Sequence, residues 1–166
     1  MTNSSSATTF AMPSDREIVI TRVFEAPRRL VFEALTKPEH IMRWWGLRSL
    51  TMVVCEMDFR LGGAWRFVLR GPDGADYGFR GVYREIAPPE RIVSTFEFEG
   101  MPGHVSVETM TLVEQDGKTK LTSTCLYESV EDRDGHFNSG MEAGTKESYD
   151  RLAELLGTMV GRSSAP

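Results

Sequence analysis

The chain has 166 residues, 40% hydrophobic and 26% charged, enough for one soluble globular domain with a sizeable core. A net charge of −5 excludes nucleic acid as the main partner, because phosphate binding needs a concentrated basic face. No stretch approaches the roughly 20 apolar residues of a membrane-spanning helix, and the two cysteines, Cys55 and Cys125, lack paired spacing and read as thiols of a reducing, cytoplasmic compartment.

Residues 1–14 are rich in Ser and Thr and lack the basic start and apolar centre of a signal peptide, so a disordered tail is expected there. The β-branched run 16–24 reads as a strand. Ala26-Pro27 then opens a helix with Leu30, Val31, Ala34 and Leu35 on its apolar face, since Pro is well tolerated in a first turn. Thr36-Lys37-Pro38-Glu39 has the form of a capping box and starts a second short helix that finishes at Trp44-Trp45-Gly46.

Strands follow. The runs 49–57, 64–70, 77–86, 91–99, 105–114 and 118–127 are separated by short Gly- and Pro-rich turns. Gln115-Asp116-Gly117 is a strong hairpin signal, because Asp-Gly tolerates positive φ. Strands joined by such short turns make an antiparallel sheet, not parallel crossover units. Arg133-Asp134-Gly135 is expected to close the sheet, and Ser139 with Glu142 reads as a second capping box opening the only long helix. Met141, Thr145, Ser148, Leu152, Leu155, Leu156 and Met159 share one face of that helix at 100° per residue. The stripe is small or polar in its first half and Leu- and Met-rich in its second, which is the first hint of a cavity. A tail is expected from 161 to 166.

The order is β-α-α, six strands and a long helix, an α+β arrangement in which a curved antiparallel sheet wraps the C-terminal helix. Trp44-Trp45-Gly46, the Asp58–Gly63 turn, the segment from Gly81 to Ile92 with its Ala87-Pro88-Pro89 corner, and Gly140-Met141-Glu142-Ala143-Gly144 carry a resemblance in order and spacing. Over roughly 15–160 the chain resembles the START/SRPBCC superfamily, in the bacterial branch named after the heat-shock-protein-ninety ATPase activator homologues. That resemblance implies the helix-grip fold, β-α-α-β6-α, and a hydrophobic ligand held between the long helix and the sheet. It implies catalysis only for some members. The co-chaperone's other half has no counterpart in this chain, so a chaperone partner is not carried over.

Strand alternation places Trp65 and Phe67 on one face, Phe79 with Tyr77 and Tyr83, Phe96 and Phe98 with Ile92, and Glu108 with Met110. If these faces are concave they form an apolar wall opposite Met141, Thr145, Ser148 and Tyr149, and a small-molecule pocket needs such a wall with a few polar handles. Together with Trp45 these are the candidate ligand contacts. Trp44 and Trp45 diverge by about 100°, so one of the two faces inward, and which one is open at this stage. Glu108 in an apolar cavity would have a raised pKa and could move a proton; the simpler expectation is an ion pair with Arg66 or Arg80. Glu97 and Glu99 should face solvent.

His40, His104 and His136 are far apart in segments expected to be exposed, and no metal-site spacing, nucleophile elbow or phosphate loop is present, so no metal, cofactor or catalytic residue is assigned. The leading reading is a binding module for a small hydrophobic or amphipathic molecule, acting as a monomer or homodimer. The alternatives are a cyclase- or aromatase-like enzyme using Glu108 or Tyr149 in the same cavity, and a protein-interaction module of the stress response.

Overall fold

The computed structural model describes residues 7–163. Its elements are β1 (Thr9–Ala11), β2 (Glu17–Phe24), α1 (Arg28–Thr36), α2 (Pro38–Trp44) and β3 (Thr51–Met57). They continue with β4 (Ala64–Arg70), β5 (Asp76–Ala87), β6 (Arg91–Phe98), β7 (Val105–Gln115) and β8 (Lys118–Leu126). The chain closes with α3 (Val130–His136), a π-helical turn (Phe137–Met141) and α4 (Glu142–Ser163). The strands form one antiparallel sheet in the order β1-β2-β8-β7-β6-β5-β4-β3, curved around the C-terminal helix as in the helix-grip arrangement. The turn between β7 and β8 has φ of 56° at Asp116 and 77° at Gly117, the positive pair that the Asp-Gly signal called for.

The register fixes which side chains meet over the concave face. Ile18 lies opposite Cys125, Cys125 opposite Glu108, Glu108 opposite Ser94, and Ser94 opposite Tyr83. One row over, Ile20, Ser123, Met110 and Ile92 align in the same way. On the convex face Arg66 and Arg80 pair with Glu99 and Glu97, at 2.7 and 3.1 Å, so both glutamates point outward as strand alternation requires.

Four local expectations are corrected. The N-terminal tail contains β1, whose Thr9, Phe10 and Ala11 pair with Thr21, Ile20 and Val19 of β2; residues 1–6 lie outside the described residues. Helix α4 runs on to Ser163 through the segment expected to be a tail, and 164–166 lie outside the described residues. Thr36 does not cap α2: its hydroxyl donates back to Phe32 O at 2.8 Å, and Lys37 stands at the N-cap without a side-chain capping bond. Ser139 does not start the long helix either. The helical path begins at Val130, where Ser129 Oγ accepts from Asp132 N at 3.0 Å, so Arg133-Asp134-Gly135 is helical and Ser139 donates to His136 O. The kink between α3 and α4 sits at Gly140, whose φ of 90° is left-handed and suits a residue without Cβ.

Helix α4 is anchored in two ways. Its C-terminal half buries Leu152, Leu155, Leu156 and Met159 with Ile18, Phe24, Val31 and Leu121 in the core. Its N-terminal half is held by polar bonds to the corner after α2. Gly46 N donates to Ser148 Oγ at 3.0 Å, while Arg151 donates to Gly46 O at 2.8 Å and to Arg43 O at 2.9 Å. Arg22 on β2 reaches Asp150 at 2.7 Å. Leu152 is fully buried, and Leu152→Ala should therefore lower the unfolding free energy by about 2–5 kcal/mol in a denaturant titration, through lost transfer energy and the void left behind.

Candidate functional site

A partly enclosed cavity of about 350 Å³ lies between the first half of α4 and the concave face of the sheet. It is at the small end of the roughly 300–1,000 Å³ range of small-molecule pockets. The cavity exists because the first half of α4 offers the small Gly144, Thr145 and Ser148 beside Tyr149, where the leucines lie further along. A side chain added at Gly144 would meet nothing nearer than Leu47 Cδ2, at 3.9 Å.

Of the candidate ligand contacts, Trp45, Trp65, Phe67, Phe79, Phe96, Glu108, Met110, Met141, Thr145, Ser148 and Tyr149 all line this space. Phe98 does not. It stands at the end of β6 beside the Gly100 turn, where its ring packs on Phe79 with centroids 5.3 Å apart. The aromatic wall is continuous: Trp45 meets Phe67 and Phe79 edge-on at 5.1 and 5.2 Å, and Trp65 is tilted against Phe67 and Phe96. Such edge and tilted pairs are the favoured arrangements of aromatic quadrupoles.

Both tryptophans at the end of α2 reach the cavity, so the expectation that only one would do so is corrected. Their roles differ. Trp44 is 2% exposed and its indole N–H donates to Ala34 O at 2.9 Å, tying α2 to α1. Trp45, half-buried, belongs to the aromatic wall.

The polar end of the cavity centres on Glu108. The expected ion pair with Arg66 or Arg80 does not form, because both project from the other face of the sheet to Glu99 and Glu97. One carboxyl oxygen of Glu108 instead accepts from Ser123 Oγ at 2.6 Å. The side chain keeps some surface against the cavity but is removed from bulk water. Burial accordingly raises its pKa above the ordinary carboxyl range, and the Ser123 hydrogen bond offsets this only partly. Burial also raises Tyr149 and Cys125, with Glu108 adding to both. Tyr149 is locked between Phe24 and Trp44, with centroids at 5.9 and 6.3 Å, so its hydroxyl end is held at the cavity by packing.

His136 is the residue that sequence reasoning missed. It lines the cavity from the end of α3, its ring stacked on Phe96 at 5.7 Å and its Nδ1 bonded to Tyr127 Oη at 2.5 Å. Burial lowers its pKa. Ser129 followed by Asp132 was the available cap signal for α3, outweighed by the turn-like Arg133-Asp134-Gly135. Among the described residues no group of three or more His, Cys, Asp or Glu could hold a metal ion, and no helix is long and apolar enough to cross a membrane.

Comparison with known proteins follows the same outline. The family model described as activator of Hsp90 ATPase homolog 1-like protein matches residues 25–157. A Rhodobacter sphaeroides protein of known structure is similar with a TM-score of 0.84 and 27% identity, over 90% of this chain and 98% of that one. A Mycobacterium smegmatis protein, Ms6760, is similar with a TM-score of 0.81 and 25% identity, over 90% and 97%. A Nitrosomonas europaea protein shares the fold with a TM-score of 0.81 at 22% identity, over 90% and 99%. No curated protein matches the chain.

The buried carboxyl sets a pH signature. A raised folded pKa means that Glu108 stabilises the fold most below the ordinary glutamate pKa of about 4.3, and that this contribution is lost as pH rises through the folded value. Glu108→Gln keeps an acceptor for Ser123 and removes that loss. Melting curves should show the variant gaining on the wild type as pH rises from 4 to 8. His136, whose lowered pKa gives the opposite slope, is present in both proteins and cancels in the comparison.

Proposed function

The chain belongs to the activator of Hsp90 ATPase homolog 1-like family, in the START/SRPBCC superfamily, and from that premise we propose that it binds one small hydrophobic or amphipathic molecule between α4 and the sheet. The cavity itself carries this reading: about 350 Å³ with an aromatic wall on one side and Glu108, Ser94, Ser106 and Tyr149 at one end. That shape suits a compact ligand whose apolar body stacks on Phe67, Phe79 and Phe96. It does not suit a two-chain lipid. The unpaired cysteines Cys55 and Cys125 support placement in the reducing cytoplasm.

One observation favours a second reading, acid–base catalysis in the same cavity. Glu108 is pushed toward its neutral acid and His136 toward its neutral base, and both face the same space. A substrate in that space would meet a carboxyl that holds its proton more readily than in water and an imidazole that gives its proton up more readily. Under this reading Glu108→Gln lowers kcat by about 10²-fold or more while the substrate still binds. Unchanged turnover by the variant would rule it out.

Binding is tested by native mass spectrometry of the purified protein and by a thermal-shift screen of small aromatic and aliphatic compounds. Thr145→Phe fills the space under the first half of α4. It should weaken uptake about tenfold or more, equivalent to about 1.4 kcal/mol. Because the new ring enters open volume and not packed core, the variant's own stability should change by less than about 1 kcal/mol. Undiminished uptake by Thr145→Phe would place the ligand elsewhere.

A further inference from the structure

The charge pattern around the cavity bears on what its ligand can be. Among the described residues the lining contains one carboxyl, Glu108, and one imidazole, His136, with no Lys, Arg or Asp. Arg66 and Arg80, the partners expected for the carboxyl, are instead paired with Glu99 and Glu97 on the other face of the sheet. Arg22, on the same concave face of β2, is held by Asp150. Among the described residues the polar side chains around Glu108 are hydroxyls and a thiol: Ser94 on β6, Ser123 and Cys125 on β8, Tyr127 just after it, and Tyr149 on α4. Ser123 engages one carboxyl oxygen, leaving the other for a bound molecule.

This arrangement is selective. A carboxylate ligand beside Glu108 would leave one uncompensated negative charge if Glu108 keeps its proton and two if it does not, because the lining holds no Lys or Arg, and an uncompensated buried charge is strongly unfavourable. A ligand that donates a hydrogen bond to Glu108 avoids that cost, and an ammonium ion also gains the charge-assisted bond. Resting on the binding role given above, we propose that the cavity selects a compact apolar molecule whose polar end is a hydrogen-bond donor aimed at Glu108, an amine or an alcohol, and that it excludes carboxylates. Where the donor is an ammonium, binding favours the carboxylate form of Glu108, and any proton released goes to solvent. Amine affinity should then rise with pH until the amine itself deprotonates, while alcohol affinity stays flat. The other titratable groups facing Glu108 are Cys125, Tyr127 and Tyr149, all raised by burial, and His136 across the cavity, lowered by burial.

Three probes with one aromatic body separate the cases: 2-naphthylmethylamine, 2-naphthylmethanol and 2-naphthoate, titrated at pH 8 by calorimetry or by quenching of the cavity tryptophans. The two donors should bind the wild type at least about tenfold more tightly than 2-naphthoate, and in Glu108→Gln that gap should close to within about threefold. Equal binding of 2-naphthoate and the alcohol to the wild type overturns the proposal, as does an undiminished gap in Glu108→Gln. Should the variant not fold, the wild-type ranking and its pH dependence decide by themselves. Failure of all three probes to bind the wild type overturns the cavity-binding role instead.

Discussion

The feature on which the rest depends is the double anchoring of α4. Four fully or nearly buried apolar side chains, Leu152 to Met159, fix its C-terminal half to the sheet. Hydrogen bonds that Ser148 accepts from Gly46 N and that Arg151 donates to the Arg43–Leu47 corner fix the other half at a set height above the aromatic wall. A helix held only by apolar contact would settle onto the sheet until the gap closed, since packed interiors tolerate few voids. Here the polar bonds are directional, and the side chains beneath them are too small to fill the space. The cavity is thus a consequence of how the helix is held.

The same logic accounts for the chemistry inside. Glu108 stands in a row of Tyr83, Ser94 and Cys125 set by the register of β5 to β8, and its convex-face alternatives are closed because the arginines there have partners of their own. A carboxyl in such a row keeps its proton more readily than in water. Across the space, the π-helical turn and Gly140 let the chain change direction between α3 and α4, which brings His136 and Met141 to the same cavity.

Much of the site was legible because strand alternation is a local rule. Once Trp65, Phe67, Phe79, Phe96, Glu108 and Met110 were assigned to one face each, a single curved sheet sufficed to gather them. Phe98 obeyed the same alternation and still missed the cavity, since parity gives the face but not the distance along the strand. His136 was missed for a different reason: an Asp-Gly pair looks like a turn, yet capping by Ser129 and continuity with the following helix override that weak preference. The capping boxes at Thr36 and Ser139 failed similarly, each hydroxyl finding a backbone carbonyl closer at hand.

The order of elements from β2 to β8, the antiparallel sheet, the Asp116-Gly117 hairpin and the uneven stripe of the last helix were fixed by composition and periodicity, because each depends on neighbours within a few residues. The pairing of β1 with β2, the partner of Glu108, the inward turn of both Trp44 and Trp45 and the arrival of His136 were decided only in three dimensions. Each depends on which distant group reaches a side chain first. Cross-sheet register and helix seating set those encounters, and neither is written in any single stretch of the chain.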